Sequence, residues 1–551
     1  MMKNTPPAAD RRPENVIALL QKAALNHPER RALVMEQQDQ ELAITFGKLW
    51  RQVDSFAETL RTKGLQPGQR VIVMVPMSID LYIVLLGIIK MGGVAVFVDP
   101  WIRPKQLAAF CVFAEPHGYI GIAKSHLLRL FAPKLLKIPL TITTGASFLG
   151  IPARYSLPAL LRQDQGSGKI ATASAADSAL ITFTSGSSGL PKGANRSHGF
   201  LIAQHQALCQ EFPYNDNDID MPMFPVFALN NLAGQRTSII PTMDFRNVAG
   251  VDGEVIYHQI QRHKVTTCTA SPPFFDSLAS FLEQHPENQV ALRRILTGGA
   301  VVSDSQLQRW RKAFPPTRID IVYGSTEAEP VAHITLQERL ARSGGNSPGQ
   351  GTCAGRPCSL VKLKIIAIHK GPVDFQKWQN LEMASGQAGE IIVSGSHICR
   401  DYFNNQAAGR ENKIIDHEGT VWHRMGDTGY LDEKGLLWLV GRIHSTIIRD
   451  HNIIHAQLIE QQLAALFPAL GKVAVLGLQD DILGEKIALV LEAGHGAPDR
   501  QAIQEHMVQQ QISIDAIYLS PTALPLDPRH NSKIDYQLLR QHILAEELEE
   551  I

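Results

Sequence analysis

The chain carries no net charge: 53 lysines and arginines face 53 aspartates and glutamates in 551 residues. That balance leaves no basic footprint for nucleic acid and no cationic face for an anionic bilayer. Cysteine is scarce, with six residues scattered at Cys111, Cys209, Cys268, Cys353, Cys358 and Cys399. The close pair, Cys353 and Cys358, has C-x4-C spacing and no second pair to complete a zinc site, so reduced thiols are expected. Long unbroken apolar runs are missing too. The most membrane-like stretch, LYIVLLGIIKMGGVAVFV, is interrupted by Lys90 and two glycines, so it reads as a buried helix followed by a buried strand, and no transmembrane segment is expected. The first residues, MMKNTPPAADRRPEN, lack the apolar core of a signal peptide, and a cytoplasmic location is the expectation. A Walker A loop is also absent. ITFTSGSSGLPKGA (181–194) is rich in serine and glycine, but Pro191 stands where that motif needs its second glycine.

What is present is a large apolar fraction, 44%, in a chain long enough for a large domain and a smaller one. Short β-branched runs alternate with helical patterns through the first half. RVIVMVPMS reads as a strand, 80–91 as a helix and VAVFVDP as a strand, which predicts parallel sheets covered by helices. RIDIVYGSTEAEP reads as a further buried strand ending in a polar loop. After Gly386 the texture changes to short strands and tight turns (GQAGEIIVSGS, GYLDEKGLLWLVGR), as in a small barrel or an antiparallel sheet. From about Ile443 a compact α+β segment begins, with VAVLGLQDD as a strand and 499–511 as a helix. The expected boundary lies at Gly441–His444, giving domains 1–441 and 442–551. The acidic tail AEELEEI reads as a solvated helix end.

Four stretches carry chemistry. In the 181–194 loop, Thr184, Ser185, Ser187 and Ser188 offer hydroxyls. Gly186 and Gly189 let backbone N–H groups approach an anion, and Lys192 adds charge. Such a loop can hold a polyphosphate from the side; taken alone it also fits a Ser/Gly surface turn. YGSTEAE ends a strand with Tyr323 and Glu327, an aromatic face and a magnesium-type ligand. HRMGDTGYLD puts Asp427 in a turn where a carboxylate can take both ribose hydroxyls, and Arg442 follows in GRIH. PLDPRHNSKIDYQLL presents Lys533 on a loop before a helix.

Together and in this order, these stretches resemble the ANL superfamily of adenylate-forming enzymes, over essentially the whole length. The resemblance implies an α/β fold: a large N-terminal domain of helix-covered sheets with a small β-barrel-like subdomain, and a small mobile α+β C-terminal domain. It implies ATP and Mg²⁺ as cofactors and a small-molecule carboxylic acid as substrate. Thr184, Ser185, Gly186, Ser187, Ser188, Gly189 and Lys192 would cradle the β- and γ-phosphates. Gly298, Gly299 and Ala300 would face Tyr323 across the adenine, with Gly324, Ser325 and Thr326 lining the same nucleotide site. Glu327, with Thr184, would bind Mg²⁺, Asp427 the ribose and Arg442 the ribose–phosphate side. Lys533 would bridge the carboxylate and the α-phosphate. The missing Walker spacing agrees with pyrophosphate, rather than a transferred γ-phosphoryl group, being what leaves.

Two departures narrow the expectation. The family pattern G-R-x-D-D-x-I-K-x-x-G aligns without a gap to GRIHSTIIRDH, so the acidic hinge pair is His444 and Ser445, the lysine is Ile448 and the glycine is His451. In thioester-forming members this stretch lies against the pantetheine arm, and His451 with Ile448 counts against that tunnel. The histidine usual beside the acyl carboxylate is replaced by Pro225, with Phe227 and Asn230 completing the expected substrate pocket. FPVFAL, PTMD, GTCAG, HRMGD and RHNSKI are together similar to the β-lactone synthetases of bacterial olefin biosynthesis. That similarity implies a long-chain 3-hydroxy fatty acid whose own hydroxyl displaces AMP, with other olefin-pathway enzymes as partners. A fatty-acyl-CoA synthetase or fatty-acyl-AMP ligase is the alternative. His423 and Arg424 are expected to pack rather than touch substrate, and His198 and His205 not to bind metal.

Overall fold

The strand–helix alternation of the first 200 residues folds into a seven-stranded sheet. Its order is Tyr155–Ser156, Leu140–Thr143, Gly118–Gly121, Arg70–Met74, Val94–Val98, Ser178–Thr184, Lys192–Ser197, and every neighbouring pair is parallel except the last. The computed structural model describes residues 15–38, 40–98, 104–145, 153–184, 191–343, 350–369, 371–373, 381–467, 470–492, 500–510, 512–526 and 534–551. Ser185, Gly186, Ser187, Ser188, Gly189 and Lys533 lie outside these residues.

The membrane-like stretch is the expected buried helix, Ile79–Lys90, followed by the strand Val94–Val98. Ser78 caps the helix by accepting the amide of Leu81, and every residue from Leu81 to Lys90 is buried. A lysine tolerates that position because its ammonium donates to Asp54 at 2.7 Å and lies 5.0 Å above the Trp50 ring. Among the described residues, no helix is long and apolar enough to cross a membrane.

A second sheet has fourteen strands. Its parallel half runs from Arg318–Ser325 through Arg294–Gly298, Thr267–Ala270, Ile219–Pro222 and Thr237–Ile239 to Arg31–Gln37. Its other half is antiparallel: Ala328–Thr335, Thr352–Pro357, Leu437–Arg442, Val421–Leu431, Gly389–Ser394 and Lys362–Ile366. Of the two forms expected after Gly386, the antiparallel sheet is present, and it continues the larger sheet edge to edge. The halves meet where Arg318–Ser325 turns into Ala328–Thr335. The polar loop expected there is only Thr326 and Glu327, because Ser325 already pairs with Ala328.

After Arg442 the chain forms a hairpin, Thr446–Arg449 with Asn452–His455, and a helix, Ala456–Leu466. A four-stranded sheet follows in the order Val473–Asp480, Gly484–Glu492, Ala516–Ser520, Glu549–Glu550. Ile447, Ile459, Leu463, Val475, Leu489, Ile503 and Ile517 form a core of their own, so a smaller α+β unit follows the larger one. The acidic tail corrects one expectation. Its end is a short edge strand, Glu549–Glu550, because Leu548 is buried and the Ile551 amide donates to the Ile517 carbonyl.

Candidate functional site

Three residues that the sequence places far apart meet at the junction of the two sheet halves. Asp427 and Arg442 are cross-strand partners, and the Arg442 Nε lies 2.8 Å from the Asp427 Oδ1. The other carboxylate oxygen, Oδ2, accepts the Tyr323 hydroxyl at 2.7 Å across 104 residues of sequence. Burial and the Asp427 charge push the Tyr323 phenol up, so it stays a donor. Asp427 is thus held by both neighbours while Arg442 keeps 41% of its side chain exposed.

Close backbone approach explains the glycines beside Tyr323. A Cβ at Gly298 would stand 2.5 Å from the Val322 carbonyl, and one at Gly324 would stand 2.7 Å from the Ala328 carbonyl. Gly299 has φ +83°, a left-handed conformation that side chains disfavour. Ala300 completes this turn. Ser325 Oγ is buried without a hydrogen-bond partner among the described residues, and the Thr326 carbonyl accepts Arg196 Nη2 at 2.8 Å. The close approaches at Gly298 and Gly324 let the strands around Tyr323 pack backbone to backbone.

Glu327 sits at the tip of the same hairpin. Its Oε1 accepts the Tyr402 hydroxyl at 3.1 Å, and its carbonyl accepts the Cys399 amide at 2.7 Å. Tyr402 bridges to Ala194 on the strand Lys192–Ser197, so Glu327 and Lys192 belong to one neighbourhood. Lys192 pairs with Thr184 at the loop's base, and its charge joins that of Lys413 in holding the buried His423 imidazole well below its usual range, after burial itself. The Glu327 carboxylate is a hard oxygen donor of the kind Mg²⁺ takes.

Sequence reasoning did not single out Tyr402 or Glu329. Tyr402 follows no motif; only the fold brings it to Glu327. Glu329 lies two residues beyond Glu327, its Cα and Cβ would each be 3.2 Å from a Cβ on Gly324, and its carbonyl accepts Gln204 Nε2 at 3.1 Å. Burial pushes its carboxyl up to about 7, opposed by the Arg196 charge. The signal was legible as a second acidic residue in YGSTEAE.

The expected substrate pocket divides. Asn230 lines an apolar cavity of about 60 Å³ with Val16, Leu20, Leu86, Leu201 and His205. Its Oδ1 lies 2.8 Å from His205 Nδ1, and its Nδ2 is buried without a partner among the described residues. Pro225 opens the helix Pro225–Ala233 and its carbonyl accepts the Tyr82 hydroxyl. Phe227 packs behind the cavity against Leu208, Phe212 and Leu296.

His423 and Arg424 pack, as expected. Arg424 forks onto both Glu390 oxygens at 2.7 Å and donates to the carbonyls of His369, Gly371 and Glu411. His198 is buried and its Nδ1 accepts the Val16 amide at 3.2 Å. Just after Arg442, the Ser445 and Thr446 hydroxyls donate to its carbonyl. The hairpin turn places Asp450 at φ +48° and His451 at φ +64°, and the Ile448 amide donates to Glu485. His451 therefore keeps the left-handed backbone that a glycine would adopt freely.

The sequence profile of the AMP-binding enzyme family matches residues 20–403. An olefin β-lactone synthetase of Stenotrophomonas maltophilia is 30% identical over 97% of this chain and 99% of its own. A putative acyl–CoA ligase of Bacillus subtilis is 24% identical over 80% of this chain and 83% of its own. The fold is that of an amide bond synthetase from Marinactinospora thermotolerans, with a TM-score of 0.74 at 19% identity, covering 96% of this chain and 99% of that one.

Proposed function

Because the chain belongs to the AMP-binding enzyme family, and is therefore an acid-activating ligase, we propose that it converts a long-chain 3-hydroxy fatty acid and ATP into a β-lactone, AMP and pyrophosphate. In the first step a carboxylate oxygen bonds to the α-phosphorus and pyrophosphate leaves. Bringing two anions together demands positive charge where the new bond forms. Lys533 and Arg442 supply it from the chain; Mg²⁺, which Glu327 and Thr184 would hold, would supply further positive charge. Gly298, Gly299, Ala300, Tyr323, Gly324, Ser325 and Thr326 hold the base, Asp427 the ribose, and the Ser185–Gly189 loop with Lys192 the outgoing phosphates. Hinge motion about Gly441–His444 brings the C-terminal domain, 442–551, over the site.

In the second step the substrate's hydroxyl oxygen bonds to the acyl carbon, the acyl–phosphate C–O bond breaks, AMP leaves and the hydroxyl proton passes to solvent. A tethered nucleophile gains a large effective molarity and needs no tunnel for a second substrate. The hairpin carries this preference over thioester formation. Ile448 replaces the family's lysine and has its amide committed to Glu485, while an imidazole side chain at His451 stands where the family has none. The acyl–CoA ligase relative keeps the second reading open to the same test. Purified protein is incubated with ATP and a long-chain 3-hydroxy acid, with and without coenzyme A. We expect a β-lactone and AMP in both cases, and stalled acyl-AMP from the acid lacking the hydroxyl. Efficient thioester formation from a plain fatty acid would replace this reading with the ligase; formation of ADP would remove both.

A further inference from the structure

Away from the nucleotide site, three residues of different chemistry converge from three elements. Glu211 ends the helix His198–Glu211, His333 lies on the strand Ala328–Thr335, and Cys358 follows the strand Thr352–Pro357. A carboxylate oxygen, an imidazole nitrogen and the thiol sulfur all lie within 4.8 Å of one another. Two of these donors are already at ligand spacing: Glu211 Oε2 and His333 Nε2 are 3.2 Å apart. Two bonds of about 2.0 Å meeting at a tetrahedral metal leave their donor atoms about 3.3 Å apart.

The groups are also held in place. Glu211 Oε1 accepts both the amide (2.7 Å) and the hydroxyl (2.6 Å) of Ser359, and that hydroxyl accepts Gln210 Nε2 at 2.9 Å. This fixes the carboxylate with Oε2 turned to the imidazole, the kind of outer support that metal-binding carboxylates have. The Phe212 ring meets the His333 ring edge-on at 4.9 Å and limits its rotation. His333 Nδ1 is buried and unpartnered among the described residues. The Glu211 and His333 side chains stay 15% and 19% exposed, enough for an ion to enter and a water to complete its shell. Burial and the Glu211 charge push the Cys358 thiol up, so the free protein keeps it protonated.

We propose that Glu211, His333 and Cys358 form a binding site for one zinc-type divalent cation. One sulfur, one nitrogen and one oxygen donor select a borderline-soft d-block ion over Mg²⁺. Binding forms the metal–sulfur bond and releases the thiol proton to solvent. The ion would tie the helix His198–Glu211 to the strand Ala328–Thr335 and to the turn after Thr352–Pro357.

Cobalt(II) titrated into chelator-treated protein tests this. We expect one equivalent to produce thiolate-to-cobalt charge-transfer absorption, which zinc then bleaches. The absorption should be lost in Cys358→Ser, weakened at least tenfold in apparent affinity in His333→Ala, and unchanged in Cys353→Ser. Zinc should also shield Cys358 from alkylation in the unsubstituted protein, a readout that needs no variant to fold. No thiolate band in the unsubstituted protein, or a band that survives in Cys358→Ser, would overturn the site.

Discussion

Asp427 shows how little a single residue does alone at this site. Its carboxylate is oriented by Tyr323 on one oxygen and Arg442 on the other, so the lone pairs it would offer to a ribose in the proposed reaction are set before any ligand arrives. In the proposed reaction the charge at the α-phosphate comes from Lys533. Replacing it with alanine should lower adenylate formation by about 10²-fold or more, the worth of one preorganised donor, while ATP still binds through the Asp427 cluster. ATP–pyrophosphate exchange measures the first and equilibrium binding the second; near-normal exchange in Lys533→Ala would assign the role elsewhere. At this scale the sequence was informative wherever a motif fixed spacing, as for Tyr323, Glu327 and Asp427. It was silent on Tyr402 and on the Glu211–His333–Cys358 cluster, because those contacts join segments far apart in sequence with no local signature.

At the scale of elements, the hairpin from Thr446 to His455 carries the sharpest expectation. Two successive residues with positive φ, Asp450 and His451, form its turn, and a left-handed conformation costs a side-chain-bearing residue about 1 kcal/mol or more. Restoring the family's residues with Ile448→Lys and His451→Gly relieves that cost and clears the imidazole. The double variant should gain measurable thioester formation with coenzyme A, read by mass spectrometry, with lactone formation from 3-hydroxy acids retained. No thioester from the double variant would mean that something other than this turn excludes the thiol. The elements themselves were legible from periodicity: Ile79–Lys90, Val94–Val98 and Val473–Asp480 fall where apolar runs predict them. The tail was not, since AEELEEI looks helical by composition and becomes an edge strand only because the Ala516–Ser520 strand offers a free partner. Nor does any local pattern reveal that the antiparallel strands after Gly386 extend the parallel ones.

For the molecule as a whole, His198 is expected to link pH to stability. It is buried, accepts the Val16 amide and so anchors the helix Ile17–Asn26 to the body of the protein. Burial lowers its pKa from 6.5 to about 4, partly offset by the Asp177 charge. A base whose folded pKa is depressed binds its proton more readily when unfolded. Its contribution is therefore complete above pH 6.5 and is lost as pH falls toward 4, at most about 3 kcal/mol at 1.36 kcal/mol per unit. Urea denaturation of the unsubstituted protein and of His198→Gln between pH 4 and 7.5 should give different slopes in that window, the variant's being flatter. Parallel slopes would exclude His198 as the linked group.

The sheet that joins Gly298 and Tyr323 to Asp427 is one hydrogen-bonded slab. The geometry that would grip base and sugar is consequently assembled when the chain folds, and its ordering entropy is spent then and not at binding. The proposed grip should therefore show no melting transition separate from that of the slab, and nucleotide binding on warming should be lost only where the slab itself comes apart.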